Sequence, residues 1–185
     1  MEILMVFGVI IFLPILFIVV TYNTLVRLSQ MITESWSNVD TELRRRYDLI
    51  PNLVETVKGY AKHEREVFDR IAQARAAAVA NTGKPSSQAE DENNLIRELK
   101  TLFAVVENYP ELKANQNFLK LQEELVNTED RIQAARRFYN GNVRDYNTKV
   151  QTFPSNLIAS IFGFQTKDYF EIESLEARKP VTVSL

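Results

Sequence analysis

The feature that most constrains this chain is the run ILMVFGVIIFLPILFIVV, Ile3 to Val20, in which 16 of 18 residues are apolar. No charged residue stands between Glu2 and Arg27. As a helix rising about 1.5 Å per residue, Ile3 to Tyr22 covers about 30 Å, the hydrocarbon thickness of a bilayer. The run therefore predicts a membrane-spanning anchor, in contact with lipid, with Tyr22 at the interface. A cleaved signal peptide is the competing reading. It calls for a basic start and a small-x-small site near Val20 to Val26, and the sequence has neither. Pro14 lies mid-span, where loss of one backbone hydrogen bond is tolerated. Arg27 is the first basic residue of the C-terminal flank. By the positive-inside tendency it puts the bulk of the chain in the cytoplasm and the N-terminus outside, single-pass in the cell (inner) membrane.

Of the 163 residues beyond Tyr22, 66 are apolar or aromatic, enough for a real core. Composition then removes whole classes of chemistry. The 22 Lys and Arg against 24 Asp and Glu leave no basic excess to neutralise a nucleic-acid backbone. With no Cys there is no disulfide framework, thiolate metal site or cysteine nucleophile. A single His, His63, excludes sites built on two imidazoles, and no Glu stands three residues before it as a carboxylate di-iron bundle requires. His63, within Lys62-His63-Glu64, reads as a solvated surface residue. No catalytic residue, cofactor or metal is expected.

The rest of the chain is helical in period and punctuated by proline. Leu25, Leu28, Ile32, Trp36, Val39 and Leu43 form one stripe, so the membrane helix is expected to run on to about Tyr47. Asp48 can cap the next helix, with Pro51 among the first positions that need no intrahelical donor, which places a turn at 47–50. Helix two then carries Leu53, Val57, Tyr60, Val67, Ile71, Ala74 and Ala78, closed by Gly83 as a left-handed cap. Ser87-x-x-Glu90 reads as the capping box of helix three, whose stripe is Leu95, Leu99, Leu102, Val106 and Tyr109 before Pro110. Helix four begins near Asn115, and its stripe runs from Phe118 to Phe153 straight through Gly141. Short links between long amphipathic helices predict an all-α fold: a single transmembrane helix continuing into an antiparallel up-and-down four-helix bundle. The divisions are residues 1–22 for the anchor, 23–153 for the bundle, and 154–185 for a short helix and tail.

Residues 22–64 and 109–164 resemble the LemA family, most specifically in RRYDLIPNLVETVKGYA and ANQNF. The resemblance implies a bacterial or archaeal single-pass membrane protein with a helical bundle facing the cytoplasm. It carries over no catalytic residues. Members are often encoded beside membrane-bound proteases, and one branch is associated with building magnetosome membranes. Gly141 and the VTVSL terminus depart from the family pattern.

The charge clusters read as helix-surface pairing. Asp40 and Glu42 stand four residues before Arg44 and Arg46, and Arg65 and Glu66 four before Asp69 and Arg70. A straight helix puts Arg44-Arg45-Arg46 about 30 to 35 Å past the membrane end, several Debye lengths away, which disfavours lipid contact. Trp36, Tyr60, Tyr139 and Tyr146 are expected in the core. The segment after helix four is less bland. Pro154 opens a short helix, and Phe153, Leu157, Ile158, Ile161, Phe162 and Phe164 are the candidate membrane or protomer contact, because the fourth helix of an up-and-down bundle returns to the bilayer. The competing reading is that they fold back and plug the bundle end. The acidic piece Glu171 to Glu176 is expected to stay solvated. The function expected is a membrane-anchored scaffold that forms a homo-oligomer or recruits proteins, with an adaptor of a membrane protease as the alternative.

Overall fold

The computed structural model describes the backbone of residues 2–175 and the side chains of residues 10–175; Glu176 and the VTVSL terminus lie outside them. The chain is all-helical, with α1 (Glu2–Lys58), α2 (Arg65–Ala80), α3 (Pro85–Val106), α4 (Pro110–Lys113), α5 (Gln116–Gln151) and α6 (Ser155–Ile161). It divides into two compact units. One comprises the chain up to Asn38 with Arg137–Tyr169, the other Val39–Arg136 with the segment from Phe170 onward.

In the second unit, α1 supplies Val39, Leu43, Ile50, Leu53 and Val57 to a core completed by Phe68 and Ile71 of α2, Leu95, Ile96 and Leu99 of α3, and Leu125 and Ile132 of α5. The turn expected at 47–50 does not form. Asp48 and Pro51 are both inside α1, and the chain breaks instead at residues 59–64, where Tyr60 and Ala61 donate back to the Val57 carbonyl. The reason is tertiary. Proline inside a helix deprives the carbonyl four residues earlier of its donor. That carbonyl belongs to Tyr47, and Arg75 Nε of α2 donates to it at 2.7 Å. The donor Pro51 lacks is thus replaced from another helix. Helix two is accordingly the shorter α2, and exposed His63 sits in the break rather than on a helix.

Two further local expectations give way to one asparagine. The end of α2 uses Asn81 in an extended conformation, not a left-handed Gly83. Its side chain accepts from Gly83 N at 2.9 Å and donates to Ser87 Oγ and Asp91 Oδ2. Ser87 is therefore engaged from outside and makes no capping box; α3 starts earlier, with Pro85 in its first turn, where a missing N–H costs nothing. Gly141, by contrast, behaves as its stripe predicts, and α5 passes through it with nothing within 4 Å of where a Cβ would stand.

The core of this unit also holds charge. Arg46 is fully buried (0% exposed) and donates to Glu129 Oε2 at 3.0 Å and to Glu92 Oε2, while Tyr47 donates its phenol to Glu92 Oε1. Gln133 Nε2 donates to Glu129 Oε1 at 3.1 Å. The expected Arg46–Glu42 pair is thereby lost. Glu42 meets Arg45 at 3.3 Å instead, whereas Arg44–Asp40 at 2.9 Å and Arg70–Glu66 at 3.0 Å form as the spacing predicts.

The other unit packs Leu25 and Ile32 of α1 against Tyr139, Val143 and Tyr146 of α5, with Trp36 edge-on to Tyr139 at 5.1 Å between centroids. In the second unit Tyr60, expected in a core, is exposed, and its hydroxyl accepts from Asn115 Nδ2 at 2.9 Å. After α6 the chain has no regular secondary structure and is held by asparagines. Asn147 brackets Lys167, donating to its carbonyl at 2.9 Å and accepting from its N–H at 2.8 Å. In the second unit Asn93 does the same across Glu171 and Glu173, at 3.2 and 2.7 Å. Phe170 and Ile172 are buried there while Glu171 and Glu173 are exposed, so the described part of the acidic piece is a strap with solvated carboxylates rather than a solvated tail.

Burial gives the tyrosines a pH signature. Desolvation first, and then the Glu92 carboxylate, raises the Tyr47 phenol well above its ordinary value. Burial, then Asp168, pushes Tyr139 up to about 12, and burial raises Tyr146. An unfolded chain loses these protons near pH 10, before the folded one does, so the stability they contribute is complete below about pH 10 and is lost as pH rises towards the folded values. The loss is about 1.4 kcal/mol per pH unit for each withheld proton. Urea midpoints should therefore fall above about pH 10, and phenolate absorbance should show Tyr47, Tyr139 and Tyr146 ionising at higher pH in the folded protein than in the urea-unfolded one. Free ionisation of all tyrosines in the folded state would contradict this.

Candidate functional site

The site is built where α1 changes character. From Ile10 to Val20 its side chains are exposed, Val20 at 55%; the next residue, Thr21, is 2% exposed, and from there α1 alternates between buried and open positions. This is the one helix among the described residues long and apolar enough to cross a membrane. Tyr22 stands at the changeover.

The C-terminal candidates are brought to that same point. Ser155 Oγ donates to the carbonyls of Lys149 and Thr152 at 2.7 and 2.8 Å, fastening the start of α6 to the end of α5. The end of α6 is closed by Gly163, whose φ of 73° is a left-handed conformation that glycine adopts without a Cβ penalty. Phe164 N then donates to Ala159 O at 2.9 Å and Gly163 N to Ser160 O at 3.3 Å, the paired bonds of a Schellman ending. That reversal lays Phe162 and Phe164 on Tyr22, edge-on, with centroids 4.8 and 5.7 Å away.

The six candidate residues divide by face. Phe153 (74%), Ile161 (73%), Leu157 and Phe162 are exposed, whereas Ile158 is buried with Ala159 and leaves the set of available contacts, and Phe164 is half-buried against Tyr22. The result is an open apolar collar formed by α6 and the residue before it, beside Tyr22 of α1. Beside it lies a recess of about 320 Å³ bounded by Val150, Asn156, Ser160 and Phe164. Asn156 Oδ1 is buried there without a hydrogen-bond partner.

Sequence reasoning missed the buried Arg46, Glu92 and Glu129 cluster. A signal existed: Arg46 lies on the stripe Val39, Leu43, Ile50, Leu53, and Glu92 and Glu129 lie on the stripes of their own helices. Charges of opposite sign on apolar faces must meet each other. The cluster is sealed, with all three side chains at most 4% exposed, so it is a packing element that substrate cannot reach. Among the described residues no group of three or more His, Cys, Asp or Glu is placed to hold a metal ion.

Magnetosome protein MamQ 2 of Paramagnetospirillum magneticum is 29% identical over 175 aligned positions, covering 81% of this chain and 64% of the relative. MamQ of Magnetospirillum gryphiswaldense is 26% identical, covering 80% and 64%. The chain thus spans less than two thirds of the length of these relatives. Protein LemA of Metamycoplasma hominis is 26% identical, covering 83% of this chain and 70% of its own. The LemA family model matches residues 35–185, taking in the whole of the second unit and the collar, and the chain belongs to the LemA family.

Proposed function

We propose that this protein is a membrane-anchored helical scaffold with no chemistry of its own, which assembles on itself and gathers proteins at the bilayer surface. The observation that carries the reading is the change at Thr21, from a helix apolar on every side to a packed one, at the level of an exposed apolar collar. Eleven consecutive exposed residues, Ile10 to Val20, have no stable place in water and a natural one in lipid. In this reading residues 1–22 are the anchor, residues 23–153 an antiparallel four-helix bundle, and residues 154–185 a short helix and tail. Tyr22, Phe153, Leu157, Ile161 and Phe162 lie in the headgroup layer, where aromatic rings are favoured. The chain sits in the inner membrane with its N-terminus outside and the bundle in the cytoplasm.

The test is the mass of the full chain in nanodiscs by light scattering, with membranes washed in alkaline carbonate alongside. A discrete multi-copy particle retained in the washed membrane is the expected result. Release by carbonate overturns the anchor. A single copy that co-purifies with a membrane protease replaces the scaffold with the adaptor reading. A reporter fused after Leu185 that is active only outside the cytoplasm reverses the orientation. Truncation after Val150 is unsuitable as a probe of the collar, because it also strips Phe170 and Ile172 from the core.

A further inference from the structure

The charge around the collar is one-sided. From Tyr22 to Arg27, and from Tyr146 to Lys167, the only charged residues are Arg27, Lys149 and Lys167, with no carboxylate in either stretch. All three are at the collar. Lys149 O accepts from Ser155 at the start of α6, Lys167 follows Phe164 by three residues, and Arg27 is about 7.5 Å along α1 from Tyr22. None is ion-paired among the described residues. Two acids border these stretches: Asp145, one helical turn before Lys149, pairs with Arg144 at 3.0 Å, and Asp168, next to Lys167 in the chain, bears on Tyr139. Glu34 is twelve residues beyond Tyr22.

An apolar collar flanked in the chain by unpaired cations fits one partner chemistry. We infer that the collar is a docking surface for an anionic bilayer leaflet, with Phe153, Leu157, Ile161 and Phe162 entering the interface and Arg27, Lys149 and Lys167 meeting phosphate headgroups. The inference rests on the membrane reading above and adds the lipid class to it. Cations within about 8 Å of a charged surface act on it at physiological ionic strength. Each Lys or Arg near an anionic leaflet shifts the docked-to-undocked ratio about fivefold. The recess beside α6 gives a headgroup room between the segments carrying Lys149 and Lys167.

The chain has no cysteine, so a single Ile161→Cys substitution carries an environment-sensitive fluorophore without interference. The labelled full chain is reconstituted in vesicles of phosphatidylcholine, alone or doped with phosphatidylglycerol, and quenching by lipid-borne quenchers is read together with vesicle flotation. The expected result is an immersed label in the doped vesicles and a largely aqueous one in phosphatidylcholine. About 1 M salt, which shortens the Debye length to about 3 Å, should remove the difference. The variant Arg27→Gln/Lys149→Gln/Lys167→Gln should remove it too, with helicity unchanged. Equal immersion in both compositions, or a preference insensitive to salt, overturns the anionic surface and leaves the anchor standing. A chain that floats with neither vesicle overturns the membrane reading itself.

Discussion

Replacing Arg46 with methionine should lower the unfolding free energy by about 3–5 kcal/mol, the largest loss expected from any single substitution outside the anchor. Among the described residues the guanidinium is the sole cation paired with two buried carboxylates, Glu92 and Glu129, which stand at 1% and 4% side-chain exposure. Without it both are left in a low-dielectric interior with only the Tyr47 phenol and Gln133 amide as partners. The cost is that of stranding charge, not of losing attraction, and the two are separable. A variant in which Arg46, Glu92 and Glu129 are all replaced by apolar residues of similar volume, with Tyr47→Phe so that no buried phenol is stranded, should return close to the parent's stability, because the desolvation of these groups is then no longer required. Urea midpoints of the single and combined variants, compared at equal m-value, make the test. A loss below about 1 kcal/mol for Arg46→Met would mean that the cluster relaxes to water, as a surface pair does.

How much of this could be read beforehand depends on whether a residue answers to its own helix or to another. The stripes of α3 from Leu95 to Val106 and of α5 from Phe118 to Val150 follow from a period of 3.6, Gly141 included, whereas Tyr109 and Phe153, the last residue of each expected stripe, fall beyond the helix ends. Pro51 and Arg46 answer to distant residues. The breaker rule for proline is a statement about one missing hydrogen bond, and Arg75, 28 residues away from Tyr47, supplies a donor no local pattern reveals. Arg46 satisfies an i,i+4 pairing rule with Glu42 and a stripe rule at once, and burial beside Glu92 and Glu129 decides between them. At the collar, the pattern after Pro154 identifies Leu157, Ile158, Ile161 and Phe162 as one apolar group. It does not separate Ile158, which packs inward, from Leu157 beside it, because that choice is set by the Ser155 and Gly163 bonds that fix the roll of α6.

The exchange at Pro51 gives the second large effect. Proline in a helix interior is about 3 kcal/mol less favourable than alanine, so Pro51→Ala should stabilise the protein, by up to that amount where the helix regains its own bond to the Tyr47 carbonyl. Arg75→Met in the parent should cost about 1–3 kcal/mol, since it leaves that carbonyl, inside α1 and against α2, with no donor at all. The two substitutions share one acceptor and should not add. In the Pro51→Ala background the new N–H takes over the carbonyl, and removing Arg75 should then cost little, with a coupling of about 1–2 kcal/mol between the sites. The cycle is read from thermal or urea unfolding of four proteins. Strict additivity would show that Arg75 stabilises the second unit through its packing alone and that α1 crosses Pro51 without help; coupling would show that a long helix is kept whole at a proline by one side chain from its neighbour.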